Sequence, residues 1–318
     1  MNSPILIAGP TASGKSEIAL QLAERLGGEI ISADSMQVYR GLDMGTAKPS
    51  AAERARVPHH LIDICDLTEA FDAAQFARRA KEAVAEIQAR GRVPILCGGT
   101  GLYFKSFLEG VGEAPPADPA LRAELEGLPL VTLLAELQAS DPRTYERIDR
   151  QNPRRVVRAV EVIRLTGKPF SEQRTPWDAA TGPRGTPNPR FVALLRSNSD
   201  LQQRINRRVE AMFRGGLVAE TEHLLQHGLA ENQTAMQAIG YRQVVEYLGR
   251  AARTPAALAE TVELVKIRTR QYAKRQLTWF RRHGNPTWME LRPGEGLGAV
   301  AERLARQMAP ANLNVQPL

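Results

Sequence analysis

Eight consecutive residues near the N-terminus, Gly9-Pro10-Thr11-Ala12-Ser13-Gly14-Lys15-Ser16, have the spacing G-x-x-x-x-G-K-[ST]. Glycine lets such a loop wrap so that backbone N–H groups and the start of the next helix point at phosphate oxygens. Lys15 adds a compact positive charge, and Ser16 a hydroxyl ligand for Mg²⁺. Phosphate binding follows from these residues; hydrolysis does not. An ATPase or GTPase carries a carboxylate at the end of a hydrophobic strand to hold metal and position water. Here the clearest later strand ends Ile95-Leu96-Cys97-Gly98-Gly99, Asp63 follows an apolar run too short to serve, and no N-K-x-D guanine signal is present. The bound phosphate therefore reads as a leaving group and not a fuel.

The elements that must position this loop are legible in hydrophobic periodicity. Pro4 to Ala8 predicts a buried strand, and Glu17 to Leu26 a helix ending at Gly27 and Gly28. Glu29 to Ala33 predicts a second strand, Ala73 to Arg90 an amphipathic helix, and Val93 to Cys97 a third strand. Such alternation implies a parallel sheet with helices on its faces. From about Gly112 to Pro189 the chain is rich in proline and charge and its clear segments are helical, including Pro153 to Thr166. Phe191 to Leu195 then returns as a strand, and most of the remainder reads as helix. The expected fold is α/β: a P-loop NTPase-like parallel sheet flanked by helices (1–111 and 190–318), an inserted all-helical domain (112–189) and a helical C-terminal part. Ligands of open parallel sheets sit at the carboxyl ends of the strands. Asp34 should therefore lie near the phosphate loop and Thr100 near both, with Asp34 able to take a proton from a nucleophile.

The bulk numbers narrow the setting. The net charge of +7 and a pI near 9.7 favour a polyanionic partner. Two cysteines, Cys65 and Cys97, supply no disulfide framework, so a reducing, cytoplasmic location is expected. No export signal or membrane-spanning stretch is read, and a monomer is expected.

Several segments taken together resemble the tRNA dimethylallyltransferases, also called tRNA isopentenyltransferases. They are Gly9 to Ser16, Asp34-Ser35-Met36-Gln37-Val38-Tyr39-Arg40-Gly41, Gly45-Thr46-Ala47-Lys48-Pro49, Gly98-Gly99-Thr100-Gly101-Leu102-Tyr103, Asn152-Pro153-Arg154-Arg155, Ile239-Gly240-Tyr241-Arg242-Gln243, and the run from Thr269 to Trp279. Only the phosphate loop is generic. Many relatives have Thr where this chain has Ser16, and either hydroxyl can ligate Mg²⁺. The resemblance implies that dimethylallyl diphosphate alkylates the exocyclic N6 amine of the adenine 3′ of the tRNA anticodon, with diphosphate released. It implies Asp34 as the base, with Thr100, Lys15 and Arg208 also catalytic, and Gly9, Pro10, Thr11, Ala12, Ser13, Gly14, Lys15 and Ser16 around the diphosphate and Mg²⁺. It further implies that the anticodon stem-loop meets Asp34, Ser35, Met36, Gln37, Thr100, Arg122, Arg154, Arg155, Val156, Val157 and Arg158. The same is implied for Gln237, Ala238, Ile239, Gly240, Tyr241, Arg242, Lys274, Arg275, Gln276, Leu277, Thr278, Trp279, Phe280 and Arg281. A zinc-finger extension found in eukaryotic relatives is missing, so no zinc is expected.

Helical geometry gives the RNA reading separate support. Thr254-Pro255 is a helix start and Gly284-Asn285-Pro286 a stop, allowing about 28 residues. At about 100° per residue, Lys266, Arg270, Lys274 and Arg281 share one side while Val265, Tyr272 and Trp279 line the other, which reads as core. Arg204 and Arg208 on another helix, and Arg154, Arg155 and Arg158 on a third, extend the basic surface. His59-His60 reads as polar or capping and Cys97 as packing. An adenylate prenyltransferase, a small P-loop kinase and a non-enzymatic RNA-binding module stay open as rivals.

Overall fold

Short apolar runs separated by turns and helices assemble into one parallel sheet in the computed structural model of the protein, which describes residues 3–110, 112, 114–173, 188–292 and 294–308. Its strands are β1 (Ile5–Ala8), β2 (Gly28–Ala33), β3 (His59–His60), β4 (Val93–Gly98), β5 (Asn188–Leu195) and β6 (Pro286–Glu290), in spatial order β3-β2-β4-β1-β5-β6. Every residue of β1, β2 and β4 is buried, as parallel strands covered on both faces require. Side chains alternate between two cores. Leu6, Ala8, Ile31, Ala33, Leu96, Phe191 and Ala193 enter one. Ile5, Ile7, Ile30, Val93, Ile95, Val192 and Leu194 enter the other.

The expected alternation of strand and helix is observed: α1 (Lys15–Leu26), α2 (Ala51–Arg56), α3 (Ala73–Ala89) and α4 (Gly101–Glu109) precede the insertion. The insertion carries α5 (Pro119–Glu126), α6 (Leu130–Ser140), α7 (Pro142–Arg147), α8 (Pro153–Thr166) and α9 (Phe170–Gln173). After it come α10 (Asn198–Arg214), α11 (Leu217–Leu225), α12 (Tyr241–Leu248), α13 (Pro255–Arg282) and α14 (Leu297–Met308). Helix α13 starts and stops where its end signals place it: the Thr254 hydroxyl accepts from Ala257 N–H, and Pro255 opens the first turn. Among the described residues no helix is long and apolar enough to cross a membrane.

Two strands escape the sequence reading. β3 is two residues long at the sheet edge, and the histidines taken as polar or capping form it. There His60 Nε2 meets Glu29 Oε2 at 2.7 Å. β6 opens on Pro286 at the opposite edge, where a missing N–H is tolerated, and it is only partly buried, so it lacks an apolar run.

The described residues fall into two compact units, one within Met1–Leu108 and Arg184–Leu318 and the other within Glu109–Pro183. The smaller one is helical throughout its described elements. Its own core gathers Leu125, Leu133, Leu137, Val156, Val157, Ala159 and Val160. Glu161 is fully buried there and accepts hydrogen bonds from Arg122 Nη2 (2.6 Å), Arg158 Nη1 (2.7 Å) and Asp118 N–H (3.0 Å). Removing one partner of a buried pair typically costs ~3–5 kcal/mol. The two arginines are about a third exposed and can turn to water, so Glu161→Ala should cost about 2 kcal/mol. Amide hydrogen exchange across α5 and α8 checks this; unchanged protection there counts against a structural role for the cluster.

Candidate active site

Strand register sets the site before any side chain is considered. Ala8 of β1 pairs with Gly98 of β4, and Gly98 pairs with Ala33 of β2. The residues that follow, Gly9, Gly99 and Asp34, therefore leave the sheet on one level, with β4 in the middle. Thr100 ties the end of β4 to the turn after β2: its N–H donates to Ala33 O (3.2 Å), and its Oγ1 accepts from Ser35 N–H (3.1 Å). Asp34 Oδ1 accepts from Met36 N–H at 2.9 Å, an Asx turn that fixes the carboxylate on its own backbone.

The phosphate loop takes a strained path. Gly14 (φ 95°) and Ala12 (φ 63°) are left-handed, which glycine adopts freely and alanine at a cost of roughly 1 kcal/mol. Neighbouring elements hold that path in place. Arg204 Nε donates to Ala12 O (2.9 Å), and Arg196 Nε to Ser13 O (2.6 Å). From α13, Gln276 Oε1 accepts from Thr11 N–H (2.8 Å) while its Nε2 donates to Gly99 O (2.9 Å). One amide side chain thus joins the loop after β1 to the loop after β4. Lys15 Nζ donates to Pro10 O at 3.2 Å.

The site is built to receive negative charge. Burial lowers the Lys15 pKa, and the nearby Arg208 cation lowers it further, while Cys97 and Asp34 act in the opposite sense. Burial likewise lowers the Arg208 pKa, opposed by Asp34. Two desolvated cations and one carboxylate therefore share a field in which they sense one another. Arg208 Nη2 also donates to Thr46 O at 3.2 Å. The Cys97 thiol is pushed up to about 12 by burial, and its Sγ donates to Lys15 O at 3.6 Å, so it is a neutral packing group.

Several residues stand elsewhere than expected. Tyr272, assigned to the core side of α13, has its hydroxyl within reach of Thr100 and Gln276, and both burial and Asp34 hold it neutral. Nothing in the helical pattern distinguishes it from a core residue: Gln276 follows one turn later on the same helix, and Thr100 and Asp34 lie on other elements. Lys266 leaves the basic stripe: it is buried and paired with Glu210 and Glu263, each at 2.7 Å. Arg270 Nη1 donates to Asn206 Oδ1 (2.9 Å), and Arg204 holds the phosphate loop. Of the residues expected at RNA, Val156 and Val157 lie in the insertion core, and Arg122 and Arg158 hold Glu161. Ala238, Gly240, Tyr241, Gln276, Leu277 and Phe280 are buried as well. Trp279 is half-buried, its ring overlying Gly101 and edge-on to Phe280. Gln37 bridges Ser32 Oγ (2.8 Å) and Thr46 O (3.3 Å). Still exposed are Arg154, Arg155, Gln237, Arg242, Lys274, Arg275, Thr278 and Arg281, while Ser35, Met36 and Ile239 are partly so. Arg196 is a site residue that the sequence reading did not identify; a buried arginine after a strand carries no motif.

The one expected metal-ligating side chain, Ser16, has a hydroxyl of the kind Mg²⁺ accepts. Ser16 is exposed at the first turn of α1, and no group of three or more His, Cys, Asp or Glu side chains converges among the described residues. Mg²⁺ suits such a place, since it accepts few protein ligands and completes its shell with water and substrate phosphate.

Comparison with known proteins agrees with this geometry. The family model described as IPP transferase matches residues 37–283, which leaves the phosphate loop outside the matched span. The chain is 44% identical over 304 residues to "tRNA dimethylallyltransferase 1" of Citrifermentans bemidjiense, covering 95% of this chain and 97% of that protein. It is 48% identical over 289 residues to the tRNA dimethylallyltransferase of Halorhodospira halophila, covering 88% and 91%. Among solved structures, the tRNA isopentenylpyrophosphate transferase of Bacillus halodurans aligns with a TM-score of 0.66 at 38% identity, over 97% of each chain. A eukaryotic dimethylallyltransferase acting on tRNA aligns with a TM-score of 0.71 at 27% identity, over 91% of this chain and 74% of that one. A matched span that begins just after Asp34 and takes in Thr100, Arg208 and Gln276, with relatives covered over nearly their whole length, leads to one conclusion: the chain belongs to the IPP transferase family, the tRNA dimethylallyltransferases.

Proposed function

We propose that this protein transfers a dimethylallyl group from dimethylallyl diphosphate to N6 of the adenine 3′ of the anticodon in tRNA, releasing diphosphate. The observation that carries this reading is the convergence of one carboxylate, Asp34, with two desolvated, half-buried cations, Lys15 and Arg208, at the level where β2, β4 and β1 end. An allylic carbon becomes reactive as its diphosphate departs, so the barrier falls mainly through stabilising the charge gathering on that diphosphate. Loop N–H groups, Lys15 and Arg208 are the donors for it. The N6 lone pair forms the new C–N bond as the C–O bond breaks and its electron pair leaves on the diphosphate. Asp34 takes the N6 proton; its Oδ1 already accepts from Met36 N–H, which leaves Oδ2 to face the amine. Ser16 would hold Mg²⁺, which when bound adds positive charge beside the diphosphate.

A base stacked in an anticodon loop must turn out to reach such a site, and the RNA backbone must be gripped meanwhile. Exposed Lys274, Arg275 and Arg281 on α13 and Arg154 and Arg155 on α8 supply the charge for that grip. The enzyme acts as a cytoplasmic monomer on the anticodon stem-loop. The decisive assay incubates the protein with dimethylallyl diphosphate, Mg²⁺ and either tRNA or AMP, and analyses the nucleosides by mass. Prenylated adenosine from tRNA is expected; prenylation of AMP alone would move the reading to a free-nucleotide prenyltransferase.

Three variants test the roles. Asp34→Asn keeps the acceptor for Met36 N–H but is no base, so kcat should fall by at least about a hundredfold with tRNA affinity unchanged; a matching loss of tRNA binding sinks the assignment. Gln276→Ala frees two loop backbone groups worth roughly 1–3 kcal/mol, so KM for the prenyl donor should rise about tenfold or more, measured by initial rates. Lys274→Ala should lower the slope of log K against log salt for tRNA by about one ion. An unchanged slope removes Lys274 from the RNA face.

A further inference from the structure

The turns spanning residues 41–48 present their backbone to two sides. Three successive amides converge on one hydrogen-bonded pair of side chains: Asp43 N–H and Met44 N–H donate to Glu220 Oε1 (3.3 and 3.0 Å), and Gly45 N–H donates to the Tyr241 hydroxyl (3.0 Å). That hydroxyl in turn donates to Glu220 Oε1 at 2.5 Å. Tyr241 is fully buried, and its ring lies so close to the turn that a Cβ on Gly45 would stand 2.3 Å from it. Glycine is required at this position by the closeness of the ring.

The next residue looks the other way. Thr46 O accepts from Arg208 Nη2 (3.2 Å) and from Gln37 Nε2 (3.3 Å), while its hydroxyl locks the turn on Leu42 O (2.6 Å). On the far flank Lys48 Nζ reaches Tyr39 O, Asp43 Oδ1 and Asp63 Oδ1. Displacing the amides of 43–45 would therefore carry Thr46 O with them, and Arg208 would lose the acceptor that orients its guanidinium.

We propose that Tyr241 and Glu220 are positioning residues that act through Thr46 to hold Arg208 in the orientation that receives the departing diphosphate. This rests on the reading of Arg208 as a diphosphate ligand. It replaces the expectation that Tyr241 touches RNA, which its complete burial among protein partners argues against.

Tyr241→Phe tests this, because it keeps the ring against Gly45 and removes only the hydroxyl. The expected result is a fall of about tenfold in kcat/KM for dimethylallyl diphosphate, with tRNA Kd within about twofold of the parent. Glu220→Gln should change kcat/KM in the same direction by less. The distinguishing measurement is a double-mutant cycle with Arg208→Ala, itself expected to lose about a hundredfold or more. If the hydroxyl works through Arg208, adding Tyr241→Phe to Arg208→Ala costs nothing further. Additive losses overturn the inference while leaving the Arg208 reading intact. So does a weaker tRNA Kd with kcat/KM unchanged, or a lower Tm with both unchanged. An Arg208→Ala variant of normal activity removes the Arg208 reading and this inference together.

Discussion

Strand β4 hydrogen-bonds to β1 on one side and to β2 on the other, and all three run parallel, so their carboxyl ends stop at a common level. The chemistry that the chain proposes depends on that adjacency. In a parallel sheet each strand delivers its following loop to the same edge, and the strand order decides which loops become neighbours. Here the order places the Thr100 turn between the anion loop and the Asp34 turn. Its N–H and Oγ1 can then tie to Ala33 and Ser35, and Gln276 can span from Thr11 to Gly99. Were β4 at an edge, it could neighbour only one of β1 and β2, and one of the two links would be lost.

On that framework the protein holds two cations whose burial costs free energy. Lys15 and Arg208 both have their pKa lowered by burial, which means the fold keeps two cations where solvent would hold them better. Asp34 offsets part of this, and a multiply charged anion between the cations would offset more. Low local dielectric strengthens both the penalty and the compensation. The arginines behind Ala12 and Ser13, and the Tyr241–Glu220 pair behind Thr46, hold the backbone around these cations in place, so a proposed diphosphate ligand would find donors that need little reorganisation.

How much of this was legible in the sequence depended on whether a residue's partner was near it in the chain. The loop from Gly9 to Ser16, the strands ending before Asp34 and Thr100, and both ends of α13 rest on local signals, and the structure places each of them as read. Tyr272 and Gln276 did not yield to the same treatment. Both lie on one long helix whose buried residues enter two separate cores, with Val265 and Ala273 in one and Phe280 in the other. A helical wheel averages those surroundings into a single apolar side. Gln276 meets Thr11, 265 positions away; no spacing within α13 could show that. The edge strands β3 and β6 failed for a different reason: two histidines and a proline-led half-buried run carry too little periodic pattern to read.

The basic composition divides in the same way. A net charge of +7 suggested a cationic face, yet many of the cations are occupied inside the protein. Arg196 and Arg204 hold loop carbonyls, Arg122 and Arg158 hold Glu161, Lys48 holds Asp63, and Lys266 holds Glu210. Each of these is engaged by a partner at close range and gives little field to a distant polyanion. The exposed set on α13, Lys274, Arg275 and Arg281, differs in kind, because long side chains in water can follow a phosphate backbone without first breaking an ion pair. Arg275 is also stacked over Tyr272, 5.8 Å from the ring centroid, with the Tyr272 hydroxyl beside Thr100 and Gln276. One turn of α13 thus carries surface charge on its outer side and, on its inner side, a tyrosine beside Thr100, so the two are set by the same helix.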